Sequence, residues 1–171
     1  MQLPRLETER LSLRSLEEAD DKEIFAIRSD AEVNRYLGRK ATERIEEARD
    51  FISKVLNNIS ENKSYYWAIS LKGNPTLCGT ICIWNISEDR KTGELGYELH
   101  PAQHGKGIMS EALKAVLNFA FSKAGFSTLE AYTHKDNHPS SRLLLNHGFV
   151  LQADRKDPDV EDLVIYTLEK K

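Results

Sequence analysis

In the run His100-Pro101-Ala102-Gln103-His104-Gly105-Lys106-Gly107-Ile108-Met109-Ser110-Glu111-Ala112-Leu113, two glycines bracket a lysine directly before a helical pattern. The first turn of a helix carries N–H groups with no intrahelical acceptor and a partial positive charge, which suits it to an anion. Gly105 and Gly107 remove side chains that would hold a phosphate away, and glycine tolerates left-handed dihedrals. Lys106 offers a further charge, or simply points to solvent. On these residues alone three readings stand open. A Walker loop needs G-x-x-x-x-G-K-[ST], and this lysine has neither the upstream glycine nor a following hydroxyl. A dinucleotide turn needs G-x-G-x-x-G, which Gly105, Gly107 and Ser110 meet imperfectly and outside any βαβ unit. The third reading is a glycine joint that merely links a strand to a helix.

The elements that must carry this turn are read from periodicity. Residues 10–16 alternate apolar and polar and read as a first strand. A helix is expected over residues 16–29, with Glu17, Glu18, Asp20 and Asp21 at its positive end. A second is expected over residues 43–59, where Ile45, Ala48, Ile52, Val55 and Leu56 line one side. Tyr65, Trp67, Ile69 and Leu71 then alternate, turn residues follow at 72–75, and residues 77–84 complete a β-hairpin. The next strand is expected over residues 94–100, immediately before the glycine turn. Beyond that turn Met109, Ala112, Leu113, Val116 and Ala120 fall at helical spacing, with Gly125 as a C-terminal cap. Residues 127–134 read as a strand, and 138–149 as a short helix with Pro139 near its start and Gly148 at its end. Residues 150–155 and 163–169 close the chain as strands, giving a mixed sheet covered by helices.

Bulk properties narrow the function classes. A chain of 171 residues with no linker or repeat fits one domain over residues 1–171. Its formal charge of -3 gives no support to general nucleic-acid binding. No apolar run approaches the roughly 18–20 residues of a membrane span. Charges stand where a signal peptide would put its apolar segment, so the mature chain is expected to start at or near Met1 and stay in the cytoplasm. Cys78 and Cys82 lie two pleats apart on one strand face, too far for a comfortable disulfide, and no paired Cys or His motif adds metal ligands. Free thiols and no metal are expected.

Residues 94–121, ELGYELHPAQHGKGIMSEALKAVLNFAF, resemble the acetyl-CoA motif of the GNAT acyltransferase superfamily, [QR]-x-x-G-x-[GA] after the fourth strand. Downstream, NHPSSRLLLNHGF resembles the family's second signature, N-x-x-S with a short helix ending in G-F. The opening LETERLSLR and the glutamate of SEAL are similar to the branch of ribosomal-protein N-acetyltransferases of the RimJ/RimL type. Three departures stand out: His104 replaces the usual Gln or Arg, Met109 replaces a small residue, and Leu145-Asn146 replaces a common Glu-Lys pair. The backbone donors survive these changes, although Met109 is expected to narrow the path beside the pyrophosphate.

The resemblance implies a single-domain GNAT fold of the α/β (α+β) class. Its central, mixed, mostly antiparallel twisted sheet has six to seven strands, is flanked by about four helices, and splays between the fourth and fifth strands. It implies acetyl-CoA as co-substrate and an acyltransferase activity toward a primary amine, by direct attack on the thioester. His104, Gly105, Lys106, Gly107, Ile108, Met109 and Ser110 would hold the coenzyme A pyrophosphate through the backbone. The pantetheine arm would lie along Tyr97, Glu98 and Leu99, with the Leu99 N–H on the oxyanion. Asn137 would bond the arm from the far side of the splay, and Arg142 would reach the adenosine phosphates. Ser140 is the carried-over acid for the leaving thiolate, against the plain reading of a helix-start serine bonding backbone; Tyr132 is a weaker candidate.

Glu98 is the natural base, against the plain reading of a solvated strand carboxylate, and Glu98→Gln is expected to lower turnover by about tenfold or more. His134 would act through water, or is structural. The acceptor favoured by the resemblance is a protein N-terminus of the Ser or Ala type. Small-molecule amines (polyamine, antibiotic or metabolite) and a non-catalytic acetyl-CoA-binding module are the alternatives. In this fold the two helices over residues 16–59 and the turn at 34–40 would form the acceptor wall. Arg35, Tyr36, Arg39 and Lys40 there face an acidic partner or make a plain solvated loop, and the acidic residues 157–162 attract a basic tail or amine or are simply a loop between the last strands. A homodimer is possible through the final strands.

Overall fold

The alternating segments assemble into one eight-stranded sheet in a computed structural model that describes residues 2–171. The strands are β1 (Leu6–Glu7), β2 (Leu11–Ser15), β3 (Tyr65–Leu71), β4 (Asn74–Trp84), β5 (Thr92–Leu99), β6 (Thr128–His134), β7 (Val150–Leu151) and β8 (Leu163–Glu169). Their spatial order is β1-β2-β3-β4-β5-β6-β8-β7. Every pairing is antiparallel except β5 with β6. Five α-helices accompany the sheet: α1 (Asp21–Ser29), α2 (Ala31–Asn34), α3 (Ile45–Ser60), α4 (Ile108–Ser122) and α5 (His138–Asn146). None of the described helices is long and apolar enough to cross a membrane.

Eight strands and five helices exceed the six to seven and about four expected, and each excess has a local cause. β1 pairs only Leu6 with Leu13 and Glu7 with Ser12, too short a run to show alternation. The helix expected from residue 16 begins later, because the buried Asp20 turns back to take Arg14 at 2.8 Å and the Glu17 N–H at 2.8 Å. That carboxylate organises a 3-10 turn over Glu18–Asp20 ahead of α1. Asp30 then breaks the helix and caps α2, accepting from the N–H groups of Glu32 and Val33. Of the strand expected over residues 150–155, only two residues pair.

Neighbouring residues of β3 face opposite sides of the sheet, and each side has its own helix layer. Trp67 is fully buried and meets Phe119 of α4 edge-on, 5.5 Å between ring centroids. Tyr66, on the other face, meets Phe51 of α3. Helix α4 buries Met109, Ala112, Leu113, Val116 and Ala120, the stripe its spacing predicted, together with Ile108 and Phe119. Each large side chain so buried contributes about 1.5–3 kcal/mol, which fixes the start of α4 against the sheet.

The parallel contact between β5 and β6 is short. It runs from Thr92 opposite Thr128 to Leu95 opposite Ala131 and stops there. Beyond it β6 stays with β8 to the end, His134 opposite Leu163, while β5 stays with β4, Leu99 opposite Gly79. Residues 96–99 are therefore left with one open edge. The splay expected between the fourth and fifth strands is this gap between β5 and β6, renumbered by the extra β1.

Candidate active site

The open edge is built by strand alternation. His100 donates its N–H to the Cys78 carbonyl at 2.8 Å, so the even-numbered peptide groups of β5 face β4. Tyr97 and Leu99 consequently turn theirs to the gap. The Leu99 carbonyl is already taken, at 2.9 Å, by Nε2 of His104, which fixes the proton on that nitrogen. Tyr97 N–H and C=O and the Leu99 N–H remain for a ligand strand.

Directly after β5 the glycine turn adopts the conformation its residues allow. Gly105 and Gly107 have φ of +75° and +76°, and Gly107 is the N-cap of α4. The first N–H to close a helical bond is that of Glu111, onto Gly107 at 3.1 Å. Those of residues 105–110 donate to no protein acceptor among the described residues. Ile108 and Met109 are buried in the core, so they offer only backbone. Met109 therefore does not narrow the turn, contrary to the expectation for that substitution. Ser110 likewise offers only its N–H, because its hydroxyl lies 2.8 Å from Nε2 of His147. Lys106 points to solvent, its Nζ 3.4 Å from Gln103.

The turn is held from beneath by the N-terminal hairpin. Arg10 Nη1 donates to the Lys106 carbonyl at 2.9 Å, and Arg10 Nε to Glu111 Oε1 at 2.7 Å. The other oxygen of Glu111 accepts from the Arg10 N–H at 2.9 Å and the Thr8 hydroxyl at 2.5 Å. Desolvation alone would raise the Glu111 carboxyl, but the Thr8 and Arg10 bonds outweigh it and hold it below its usual range. Free donors at a positive helix end, beside an unpaired strand edge, fit a phosphate group with an extended arm. No described cluster of His, Cys, Asp or Glu could hold a metal, and both cysteines are free.

Across the gap stands α5. Asn137 is its N-cap, its Oδ1 accepting from the Ser140 N–H at 3.3 Å. The Ser140 hydroxyl does not bond backbone, as a helix-start serine would; it meets the Tyr97 hydroxyl at 2.5 Å. Burial pushes the Tyr97 phenol up to about 12, against the opposing effect of Ser140, so it stays protonated at neutral pH. Arg142 is exposed on the same helix.

Below the gap opens a cleft of about 1120 Å³, lined among others by Arg28, Tyr36, Arg39, Phe51, Glu98 and His134. Glu98 is neither solvated nor free. Its Oε1 is bonded by Arg39 Nη1 and lies 3.8 Å from Arg28 Nη1. Arg39 Nε is held by Asn34 Oδ1 at 2.7 Å, and Asn34 Nδ2 by the Arg28 carbonyl at 2.7 Å. The Arg28 guanidinium sits 3.8 Å over the Phe51 ring. Tyr36 and Arg39 thus line the cleft, while Arg35 and Lys40 are exposed and line none of it. Tyr36 stacks near His134, 5.1 Å between centroids, and the Asp136 N–H on His134 Nδ1 places that ring's proton on Nε2. Tyr132 leans to Glu130 at 3.5 Å. Residues 157–162 are a loop between β7 and β8, folded on Asp157.

Arg10, Arg28 and Phe51 are site residues that the sequence reading missed. Arg28 and Phe51 are polar or aromatic positions beside the apolar stripes of α1 and α3, and only tertiary packing brings them together. Arg10 left a trace in the LETERLSLR segment, without a role.

Residues 10–150 match the acetyltransferase (GNAT) domain. The N-acetyltransferase YoaA of Bacillus subtilis (strain 168) is 36% identical over 146 residues, covering 85% of this chain and 82% of that one. The N-acetyltransferase p20 of Bacillus licheniformis is 31% identical over 153 residues, covering 89% and 85%. Among solved structures, RimL, the ribosomal L7/L12 alpha-N-protein acetyltransferase in complex with coenzyme A, superposes with a TM-score of 0.83 at 19% identity, covering 97% of this chain and 98% of that one.

Proposed function

Because the chain belongs to the GNAT acetyltransferase family, we propose that its acceptor is an α-amine, that of a protein N-terminus of the Ser or Ala type. The reaction itself is that of an acetyl-CoA-dependent N-acetyltransferase. The observation that carries the α-amine is the clamp on Glu98. Glu98 Oε1 is bonded by Arg39 and faces Arg28, so that oxygen is occupied in holding the cleft wall and is not free to take a proton from the amine. An α-amine needs little from it: with a pKa near ~8, close to a tenth is neutral at pH 7. An aliphatic amine near ~10.4 costs roughly 4–5 kcal/mol to deprotonate and requires a true base. The fold likeness to RimL, a ribosomal L7/L12 alpha-N-protein acetyltransferase, agrees with this choice.

On this reading the donors of residues 105–110 hold the pyrophosphate, with His104 buttressing the turn, and the open edge at Tyr97 and Leu99 pairs with the pantetheine arm. The Leu99 N–H stabilises the oxyanion. The neutral amine attacks the thioester carbonyl, the C–S bond breaks, and the Ser140–Tyr97 hydroxyl pair supplies the proton to sulfur. The amine's proton leaves to water and the hydroxyl pair is reprotonated from solvent, so that the amide and the free thiol are the products. Glu98 positions the incoming ammonium rather than acting as a free base.

Free thiol release from acetyl-CoA tests the reading, with two acceptor pools: lysine-blocked peptides bearing N-terminal Ser or Ala, and small aliphatic amines. Turnover on the peptides is expected. Turnover on the small amines alone would overturn it in favour of metabolite or drug acetylation.

A further inference from the structure

The acceptor end of the cleft holds two guanidiniums around one carboxylate, and the two are not equally satisfied. Arg39 is spent on Asn34 and Glu98, and its Nη2 is buried without a partner among the described residues. Arg28 is less well served. Its side chain is only 20% exposed, and its nearest carboxylate oxygen is 3.8 Å away, beyond hydrogen-bond length. Its other close neighbour is the face of Phe51, which attracts the cation but accepts no N–H in the ring plane of the guanidinium. A guanidinium carries five donors and no acceptor, so a half-buried one without acceptors is a site awaiting an anion. Burial and then the Arg39 charge press the Arg28 pKa down, against the opposing effects of Glu98 and Tyr66.

We infer that Arg28, backed by Arg39, reads an oxyanion on the acceptor, a carboxylate or a phosphate a few bonds from the reacting amine. The inference rests on the cleft being the acceptor site of the proposed α-amine transfer. Both guanidiniums approach Glu98 through Oε1, which leaves Oε2 for the acceptor's ammonium. The ammonium and the oxyanion then sit on adjacent members of one charge cluster, and the second anion sets two anions against the two guanidiniums and the ammonium. In a protein N-terminus the oxyanion is an acidic or phosphorylated side chain at the residue after Ser or Ala. Polyamines, which bring several cations and no anion, meet repulsion from the same pair.

The test is calorimetric binding to the full chain saturated with coenzyme A. Three lysine-blocked peptides begin Ser-Glu, Ser-phosphoserine and Ser-Gln, and β-alanine is paired with its amide as a small probe. In at least one pair the acidic member is expected to bind about tenfold tighter than its neutral counterpart, and the two acidic peptides separate carboxylate from phosphate. Arg28→Gln is expected to shrink that preference to about twofold or less, and Arg28→Lys to retain part of it. Unchanged coenzyme A affinity in both variants would show that they fold. Equal affinities within every pair, or a preference that survives Arg28→Gln, would overturn the inference. Thiol release separates it from the reading it rests on. An acidic preference with no release from any α-amine peptide would sink that reading alone, and release with equal affinities would sink the inference alone.

Discussion

Ser140 and Tyr97 meet at 2.5 Å across the gap, one from the start of α5 and one from the open edge of β5. On the proposed reading the two hydroxyls form a relay, one donating to the leaving sulfur while the other donates to it. Ser140→Ala breaks that relay without touching the pyrophosphate turn. It is expected to lower kcat by about tenfold or more while the Kd for acetyl-CoA moves by about threefold at most. Steady-state thiol release with a parallel binding titration reads both, and an unchanged kcat would remove Ser140 from the chemistry. This residue was legible because the N-x-x-S motif carries it. Glu98 was legible too, but its state was not. Arg39, which bonds it, lies 59 positions earlier, and no local pattern announces such a contact.

At the scale of elements, the N-terminal hairpin and the first turn of α4 share one hinge of charge. Glu111 lies where an acid would ordinarily answer the helix's positive end, yet both its oxygens are committed to Thr8 and Arg10. It therefore leaves that end unanswered for a ligand while Arg10 props the Lys106 carbonyl. Glu111→Gln keeps the shape and removes the charge that aligns Arg10. The expected result is a KM for acetyl-CoA raised about three- to tenfold with kcat little changed, read from initial rates over a range of acetyl-CoA. A lowered kcat at unchanged KM would assign Glu111 to the chemistry instead. Helix α4 itself was plain in the sequence, since its apolar spacing is uninterrupted. Strand β1 was not, because two paired residues leave no period. Gly79 shows a third case: a Cβ there would lie 2.7 Å from the Glu98 carbonyl, a close approach of strands that a lone strand glycine hints at without naming its partner.

The molecule as a whole couples its cofactor end to pH through His147. Burial first, and then the nearby Lys114 charge, hold its imidazole below the usual value, and it pairs in the neutral form with Ser110. Its folded pKa lies below its unfolded one, so its contribution is complete above about 6.5 and is lost as pH falls toward the folded value. Glu94 works in the opposite sense, its carboxyl raised chiefly by burial, and gains as pH falls. Comparison with His147→Gln isolates the histidine: melting temperatures followed from pH 7.5 to 5.5 are expected to fall more in the native chain than in the variant. Parallel curves would deny His147 this role. The longer helices and strands and the glycine turn could be read in advance because each is written in contiguous residues, whereas the fold class and the splay came with the family resemblance. The elements of the cleft wall could be named in advance but their contacts could not, since Arg28, Arg39, Phe51 and Glu98 meet only when α1, the segment after α2, α3 and β5 pack.

The Arg10–Glu111 contact also sets a timetable. The two residues are 101 positions apart, so the loop they close is among the costliest in the chain to form. Helix α4 can wind early on its own local contacts, but the turn before it stays unbraced until the first strands have docked. A refolding chain therefore regains its helical signal before it regains its grip on acetyl-CoA.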